Sequence, residues 1–257
     1  MAWIRRLKRA RHRELRSRVF PLEWRNILEQ NIPLYTRLPD ALKQQLHGYI
    51  TLFIAEKNFE GLRGIEITDE IKVTIAGQAC MLLLNRDTEV YPRLYSILVY
   101  PDAYRTKQSS IFPSGADAED AEDRLGESWT TGSVVLSWDH VKHGVKDWKD
   151  GHNLVIHEFA HQLDQEDGTS DGAPILEQPS HYIPWARVLS TEYEALRSKT
   201  DRGGKSVLDQ YGSTNPAEFF AVATEAFFEK PKQMKKKHPE LYGELKNYYS
   251  VDPGEWG

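Results

Sequence analysis

The sequence predicts an α+β fold in which helices predominate and a few short strands form a small sheet. Apolar residues recur at helical spacing over residues 39–56 and 68–84. Short runs at 65–67, 94–99 and 132–138 are rich in β-branched residues or alternate in polarity, which is typical of strands. With 257 residues, of which 40% are hydrophobic and 28% charged, the chain has the composition of a globular protein with a sizeable core.

The N-terminal third predicts mainly helices. One helix is expected over residues 22–29 and a second over 39–56. Apolar residues mark one face of the second helix, namely Leu42, Leu46, Ile50 and Phe53. A third helix is expected to begin at the polar residues 68–70 and to continue to Leu84.

The central part predicts strands separated by irregular segments. Residues 114–127 are small and acidic, which predicts a surface loop or a short helix. The strand at 132–138 is followed by a turn-rich link over residues 139–151. The free edge of this strand is suited to hold an extended peptide by main-chain hydrogen bonds.

Basic residues are concentrated at the N-terminus. Residues 1–20 contain eight of the 33 Lys and Arg residues but only one of the 38 acidic residues. The acidic remainder argues against nucleic-acid binding by the body of the protein. We expect residues 1–20 to be a frayed, solvated tail. The alternative is a basic amphipathic helix that touches an anionic lipid, a nucleic acid or an acidic partner through Trp3, Ile4, Leu7 and Leu15.

Residues 157–161 read His-Glu-Phe-Ala-His, a complete His-Glu-x-x-His motif within a run that predicts a helix. Because positions four apart lie on one helical face, His157 and His161 can each direct a ring nitrogen at a common centre. Two imidazoles at this spacing suit a tetrahedral Zn²⁺, and Glu158 is placed to be the general base. The flanking apolar residues predict a buried helix, in which these polar groups need partners. Metal-dependent hydrolysis is therefore the leading hypothesis.

Asp164 lies three residues after His161 and shares its helical face. Its carboxylate can accept the free ring N–H of a ligand histidine and so fix the tautomer of that histidine. The alternative is an exposed carboxylate at the end of the helix. Gly168 is expected to end the helix, because glycine readily adopts the left-handed conformation common there.

Catalytic zinc commonly has three protein ligands, so a third ligand is expected outside the motif. The longer motif, with a third histidine six residues further on, is absent. Residues 215–228 predict a buried helix that starts with Asn215 and Pro216, which are favoured at that position. From this helix we choose Glu218 as the ligand. Glu225, on the same face, is expected to be a supporting carboxylate or an alternative ligand. A further alternative for Glu225 is a capped or salt-bridged core carboxylate without a role at the metal.

Four other residues are weaker ligand candidates, because none lies in so apolar a setting. They are His152, His181, Glu192 and Glu194.

Several separated blocks occur in the order that one family shows. They are residues 20–21, 34–35, 37–39, 66–69, 78–80, 82–86, 157–164 and 215–221. Through these blocks the chain resembles the Mlc titration factor A (MtfA) family of bacterial zinc-dependent peptidases. The resemblance extends over residues 20–250 and does not include the basic first 20 residues.

The resemblance implies a zincin-like core related to the protease domain of anthrax lethal factor. Such a core combines a small mixed sheet with active-site helices, here preceded by an N-terminal helical portion. One Zn²⁺ per chain is implied, with a glutamate ligand in the Ala-Glu-Phe block that agrees with Glu218. A tyrosine seven residues before that glutamate is also implied, and Tyr211 has this spacing. Its phenol can donate a hydrogen bond to a developing oxyanion.

The resemblance also implies aminopeptidase-type activity and binding of the glucose-system transcriptional repressor Mlc. We therefore expect hydrolysis of a peptide or protein substrate, with a regulatory role through a Mlc-like partner. One alternative is a regulatory binding protein that sequesters a transcription factor and has an ancillary zinc site. Another is a metal-dependent hydrolase of a non-peptide bond.

The expected domain organisation is a basic tail over residues 1–20, a helical portion over 21–62 packed on the core, and a catalytic domain over 63–250. The chain has no apolar run as long as a transmembrane segment. Its single cysteine, Cys80, lies in an apolar run, and the N-terminal segment lacks the apolar core of a signal peptide. We therefore expect a cytoplasmic location.

Overall fold

A computed structural model of the chain describes residues 2–86, 88–101 and 132–256. The side chains of Ala2, Ile4, Arg5, Leu7, Lys8 and Arg9 and the acidic segment 114–127 lie outside this description. Helices predominate over a small three-stranded sheet, which confirms the predicted α+β class. None of the described helices is both long and apolar enough to cross a membrane.

The first of two compact units comprises Met1–Met81 and Pro92–His143. Its elements in chain order are α1 (Ala2–Arg16), α2 (Leu22–Asn31), α3 (Pro33–Arg37), α4 (Asp40–Glu56), β1 (Asn58–Gly61), α5 (Asp69–Met81), β2 (Ser96–Tyr100) and β3 (Ser133–Ser137). Helix α6 (Trp138–Lys146) begins in this unit. The domain boundaries expected from the sequence stay a prediction.

The sheet of the first unit has the strand order β1-β2-β3, and both pairings are parallel. Residue Ile97 of β2 pairs with Phe59 on one side and with Val134 on the other. The described strands therefore lack the antiparallel pairing of a mixed sheet. Residues 65–67 do not form the predicted strand, because Arg63 and Gly64 adopt positive φ angles of 55° and 83° and turn the chain immediately after β1.

Helix α1 shows that the expected frayed tail is wrong for residues 2–16. Leu15 is buried, and the ring of His12 bonds to Glu56 at the end of α4. The guanidinium of Arg16 lies 4.7 Å from the centre of the Tyr49 ring, also in α4. Contacts with α4 thus stabilise a segment whose sequence alone indicated a solvated terminus.

Helix α6 occupies most of the link that was predicted to be turn-rich. Val141 is buried, and the Lys142 ammonium lies 2.8 Å from the carboxylate of Asp139 in the first helical turn. The turn-forming residues of this link follow the helix, over 147–151. An apolar face and a helix-surface ion pair therefore outweigh the local turn signals.

The second compact unit comprises Leu82–Tyr91 and Gly144–Gly257. Its helices are α7 (Leu154–Asp164), α8 (Tyr182–Asp201), α9 (Pro216–Glu229), α10 (Pro231–Lys237) and α11 (Pro239–Tyr249). Aromatic rings fill its core, with Trp185 of α8 against both Phe220 of α9 and Tyr248 of α11. Tyr91 and Phe159 of α7 make a further edge-to-face pair, so α7 is anchored on its apolar side.

Candidate metal centre

Helix α7 carries both motif histidines, and its boundaries follow from the sequence. The side-chain Oδ1 of Asn153 accepts a hydrogen bond from the backbone N–H of Ile156 at 3.1 Å, which caps the helix. After Asp164 the chain continues as a 3₁₀ turn to Asp167. Gly168 then adopts a left-handed φ of 104° and ends the helical segment, as predicted.

Helix α9 presents carboxylates to α7. Asn215 caps its start by accepting a hydrogen bond from the N–H of Glu218 at 2.9 Å, and Pro216 is the first helical residue, as predicted. Every later residue of the helix is buried. The carboxylates of Glu218, Glu225 and Glu229 all bond to α7 or to the residues just before it. Glu225 lies seven residues after Glu218 and four residues before Glu229, so the three carboxylates lie on one face of the helix.

Three side-chain atoms meet where α7 faces α9. The Nε2 atoms of His157 and His161 are 3.2 Å apart. Oε2 of Glu218 lies 2.9 Å from Nε2 of His157 and 3.4 Å from Nε2 of His161. All three residues are buried. Among the described residues, they form the one group of three or more ligand-type side chains close enough together to hold a metal ion.

These separations fit a zinc ion. When ligand atoms surround zinc tetrahedrally at about 2.0–2.1 Å, they lie about 3.3 Å from one another. The three observed distances, 2.9, 3.2 and 3.4 Å, are close to that value. Two imidazoles and one carboxylate are also a donor set of catalytic zinc sites, in which a fourth position stays open.

Glu225 bonds to the opposite side of the His157 ring. Its Oε1 lies 2.8 Å from Nδ1 of His157, and its Oε2 accepts a hydrogen bond from the backbone N–H of Asn153. A proton on Nδ1 directs the lone pair of Nε2 at the centre shared with His161. The partner of Glu225 is the ring nitrogen that faces away from the centre, which is the contact expected of a supporting carboxylate rather than of a ligand. The supporting role of Glu225 stays a prediction.

The carboxylates give this centre a negative potential. Burial disfavours a charged imidazole, but the hydrogen bonds to Glu218 and Glu225 outweigh burial and raise the pKa of His157 well above its usual value. Burial also disfavours an ionised Glu218, but hydrogen bonds from His157 and His161 hold its pKa well below its usual value. The surroundings therefore stabilise positive charge at the centre, whether a proton or a metal cation.

Asp164 is fully buried, so the alternative of an exposed carboxylate is wrong. Its Oδ2 accepts a hydrogen bond at 3.0 Å from the N–H of Gly172, whose carbonyl accepts one at 3.0 Å from Trp185. Gly172 has a φ of 75°, and a Cβ there would lie 2.4 Å from the carbonyl oxygen of Pro216. Burial raises the pKa of Asp164 to about 6, and the charge of His161 acts in the opposite direction. Support of the His161 ring by Asp164 stays a prediction.

Tyr211 and Glu158 both lie beside His157. Tyr211 belongs to a 3₁₀ turn, Gln210–Ser213, that packs on α9. Its ring centre is 6.0 Å from that of His157, at an interplanar angle of 40°. Glu158 follows His157 in α7 and is half-buried. The catalytic roles of Tyr211 and Glu158 stay predictions.

The four weaker ligand candidates lie outside the group of three ligand residues. His152 and His181 are exposed, as is Glu194. A carboxylate oxygen of Glu192 is 2.7 Å from Nδ1 of His238, so Glu192 is paired elsewhere.

Two buried residues next to the centre were not identified from the sequence as site residues. The Oε1 of Glu229 accepts a hydrogen bond from the side-chain amide of Asn153 at 2.9 Å, and its Oε2 accepts one from the N–H of Gly151 at 3.1 Å. Two signals were available: Asn153 is a favoured cap residue directly before an apolar helix, and Glu229 follows Glu225 by one helical turn.

A buried cluster of two histidines and a glutamate, held by two helices, fits the class of metallopeptidases. Comparison with known families agrees: the sequence model of the family described as glucose-regulated metallo-peptidase M90 matches residues 4–250. The chain belongs to this family. Because the match begins at residue 4, it includes most of the basic N-terminal segment, which the resemblance seen in the sequence did not cover.

Individual relatives match over most of their length. An uncharacterized protein of Synechocystis sp. is 41% identical over 245 residues, which are 95% of this chain and 89% of the relative. The Mlc titration factor A of Cronobacter sakazakii is 29% identical over 91% of this chain and 87% of its own length. The Mlc titration factor A of Pectobacterium atrosepticum is 29% identical over 87% of this chain and 84% of its own length. The family resemblance predicted from the sequence is thus confirmed.

Proposed function

We propose that this protein is a zinc-dependent peptidase in which His157, His161 and Glu218 hold one Zn²⁺ per chain. The observation that carries the proposal is the convergence of three ligand atoms at tetrahedral separations in a member of a metallopeptidase family. Imidazole and carboxylate donors at these separations support zinc as the metal. The substrate we propose is a peptide or protein, cleaved in the aminopeptidase manner that the family resemblance implies.

The chemistry divides between the metal and the chain. A bound zinc ion supplies Lewis acidity, which favours the deprotonated form of water and polarises a carbonyl group. We assign Glu158 as the general base, which takes a proton from the attacking water and passes it to the leaving amine. Its position directly after His157 in α7 supports this assignment. The phenol of Tyr211 is assigned as a hydrogen-bond donor to the substrate oxygen that gains negative charge.

Two buried carboxylates are assigned to hold the histidines. Glu225 accepts a hydrogen bond from the Nδ1–H of His157, which fixes the tautomer in which Nε2 can bind a metal. Asp164, which is fully buried and lies three residues after His161 in α7, is assigned the equivalent task for that ring. We assign these two residues to the orientation of ligands rather than to contact with substrate.

The Glu158→Gln variant tests the proposed reaction. It keeps the size of the side chain but removes its basicity, so zinc should stay stoichiometric while turnover falls by about 10²–10⁴-fold. Zinc content and cleavage of a peptide library are the measurements. Glu194→Gln, an exposed change in α8, is the matched control and should leave both unchanged. Full turnover by Glu158→Gln would show that the base is another residue.

The names of several relatives favour a second candidate function. Because those relatives are called Mlc titration factor A, we propose a Mlc-like transcriptional repressor as a partner. The second candidate is a regulatory protein that binds such a repressor and has an ancillary zinc site. Capture of purified Mlc by wild type and by Glu158→Gln separates the functions: binding without hydrolysis by both proteins favours the regulatory candidate. If neither protein binds Mlc, the proposal of a Mlc-like partner is contradicted.

The state of the single cysteine supports a cytoplasmic location, which we also propose. Cys80 is a free, fully buried thiol. Burial raises its pKa, so the reactive thiolate is disfavoured. A chain whose single cysteine is a buried structural residue is compatible with a reducing compartment.

A further inference from the structure

We infer that Asn153 and Glu229 form a positioning layer that holds Glu225, and through it His157, in the orientation needed for metal binding. Neither residue belongs to the group of ligand atoms, so both are positioning residues rather than catalytic ones. The inference rests on the zinc site proposed above and adds a further shell of residues that controls its affinity.

Asn153 is the junction of this layer, since all four of its polar groups are hydrogen-bonded. Its carbonyl accepts the N–H of His157 at 2.9 Å, and its side-chain Oδ1 accepts the N–H of Ile156. Its backbone N–H donates to Glu225, and its side-chain amide donates to Glu229 at 2.9 Å. Because Oδ1 caps α7, the amide nitrogen must face Glu229, and the side chain has one orientation.

Glu229 fixes the chain on both sides of His152. One of its oxygens accepts from Asn153, and the other accepts from the N–H of Gly151 at 3.1 Å. The side chain is buried, with a relative exposure of 4%. Burial raises the pKa of Glu229 to about 8, and the charges of Glu225 and Asp150 act in the same direction. At neutral pH Glu229 is therefore mostly protonated and adds no third negative charge beside His157. Its carbonyl oxygen is then the stronger of its two acceptors, because the other oxygen carries the proton.

Asn153 and Glu229 affect metal binding through Glu225. One oxygen of Glu225 is held by the N–H of Asn153, and the other bonds to Nδ1 of His157. A shift of Asn153 thus moves the carboxylate that orients the imidazole ligand. Loss of supporting residues of this kind lowers metal affinity by about 10–100-fold when they contact the ligand directly. If the role of Glu229 were purely structural, its substitution would lower the stability of the protein and leave its metal affinity unchanged.

The test compares three variants of the full chain. Glu229→Ala removes both acceptors and should raise the zinc dissociation constant about tenfold. Glu229→Gln should have a smaller effect, because its one carbonyl oxygen can accept from only one of the two donors. In the double variant Asn153→Asp/Glu229→Gln, the amide at position 229 can donate a hydrogen bond to the carboxylate at position 153. The carbonyl oxygen of the same amide can still accept a hydrogen bond from the N–H of Gly151. This variant keeps the helix cap and should return affinity toward that of the wild type.

Two readouts do not depend on peptidase activity. The zinc dissociation constant is measured by competition with a chelator, and the visible absorption of the Co²⁺-loaded protein reports ligand geometry. Thr224→Val is the matched control, because it removes a buried hydrogen bond of 2.8 Å to Tyr249 from the same helix, away from His157. This control should lower the melting temperature and leave zinc affinity and the Co²⁺ spectrum unchanged.

The outcomes separate this inference from the proposed function. Wild-type zinc affinity and an unchanged Co²⁺ spectrum in both Glu229 variants would overturn the positioning layer while leaving the zinc site intact. Failure of the wild type to bind zinc would instead overturn the proposed function. If Glu229→Ala does not fold, Glu229→Gln and its rescue by Asn153→Asp decide the question.

Discussion

Helices α5 and α9 are both almost entirely buried, but they bury different chemistry. In α5 the buried polar side chains are the neutral Thr74 and Gln78. In α9 they include three carboxylates, Glu218, Glu225 and Glu229. A protein interior accepts neutral polar groups at small cost when they are hydrogen-bonded, whereas buried carboxylates also need partners that compensate their charge.

The partners of these groups explain the difference. The side-chain amide of Gln78 donates to the carbonyl of Thr74 within α5, and the hydroxyl of Thr74 accepts from Asn31 at 2.9 Å. The carboxylates of α9 instead bond to histidines and amides of the α7 region. Helix α5 therefore buries neutral side chains that bond to each other or to α2, whereas α9 buries carboxyl groups at and beside the candidate metal centre.

The largest expected effect comes from the carboxylate assigned as a ligand. Glu218→Ala removes one of three metal-binding atoms and leaves two histidines facing a cavity, so stoichiometric zinc should be lost on dialysis. Metal analysis of the folded variant, checked by circular dichroism, is the measurement. Full retention of zinc would show that Glu218 is not a ligand and would direct the assignment to Glu225.

A smaller effect is expected at the carboxylate that supports His157. Glu225→Ala should weaken zinc binding by about 10–100-fold, because the Nδ1 proton loses its acceptor and the ring loses its orientation. Glu225→Gln should lose less zinc affinity, since its amide oxygen can still accept the hydrogen bond from the Nδ1–H. Chelator competition measures both dissociation constants, and equal values for wild type and Glu225→Ala would contradict the supporting role.

Because Glu229 titrates, we expect it to make the stability of the protein depend on pH, which the neutral residues of α5 cannot do. Its pKa is about 8 in the folded protein, against an ordinary value of 4.5, so the folded state binds the extra proton between these values. The contribution of Glu229 to the free energy of unfolding is fully present below about pH 4.5 and is lost as the pH rises through about 8. This contribution amounts to at most a few kcal/mol.

Urea unfolding of the metal-free protein at pH 5, 6.5 and 8 tests this pH dependence. Wild type should lose more stability over this range than Glu229→Gln, which cannot titrate at that position. Other titrating groups are common to both proteins, so the difference isolates Glu229. Parallel stability curves for the two proteins would contradict the raised pKa.

The smallest effect is expected in α5. Thr74→Val removes the acceptor of the Asn31 amide while keeping the shape of the side chain, and should lower stability by about 1 kcal/mol. Asn31 keeps its second bond, to Glu70, at 3.3 Å. Zinc affinity should equal that of wild type; a lower affinity would show that the contrast between the two helices is too simple.

The parts of the site that were predicted from the sequence depend on local geometry. The spacing of His157 and His161 places both rings on one helical face regardless of the rest of the fold. Asn215, Pro216 and Gly168 act on their own helix ends through caps and backbone conformation. A carboxylate in an apolar helix needs a partner, which points to Glu218, and Glu218 lies with the two histidines.

The features that sequence reasoning missed depend on distant contacts. Glu229 bonds to Asn153 across 76 residues of chain, a pairing that no local pattern indicates. Helix α1 is held by contacts with α4, including the bond between His12 and Glu56, 44 residues apart. In both cases tertiary contacts decide the role of residues whose local signals favour a solvated helix end or tail.

The most direct test of the proposed zinc centre is anomalous diffraction at the zinc absorption edge from crystals of the wild-type protein grown with stoichiometric zinc. The proposed zinc site predicts one strong anomalous peak per chain, about 2.0–2.2 Å from Nε2 of His157, Nε2 of His161 and a carboxylate oxygen of Glu218. A zinc peak away from these three atoms, or none in the zinc-supplied crystals, would contradict it.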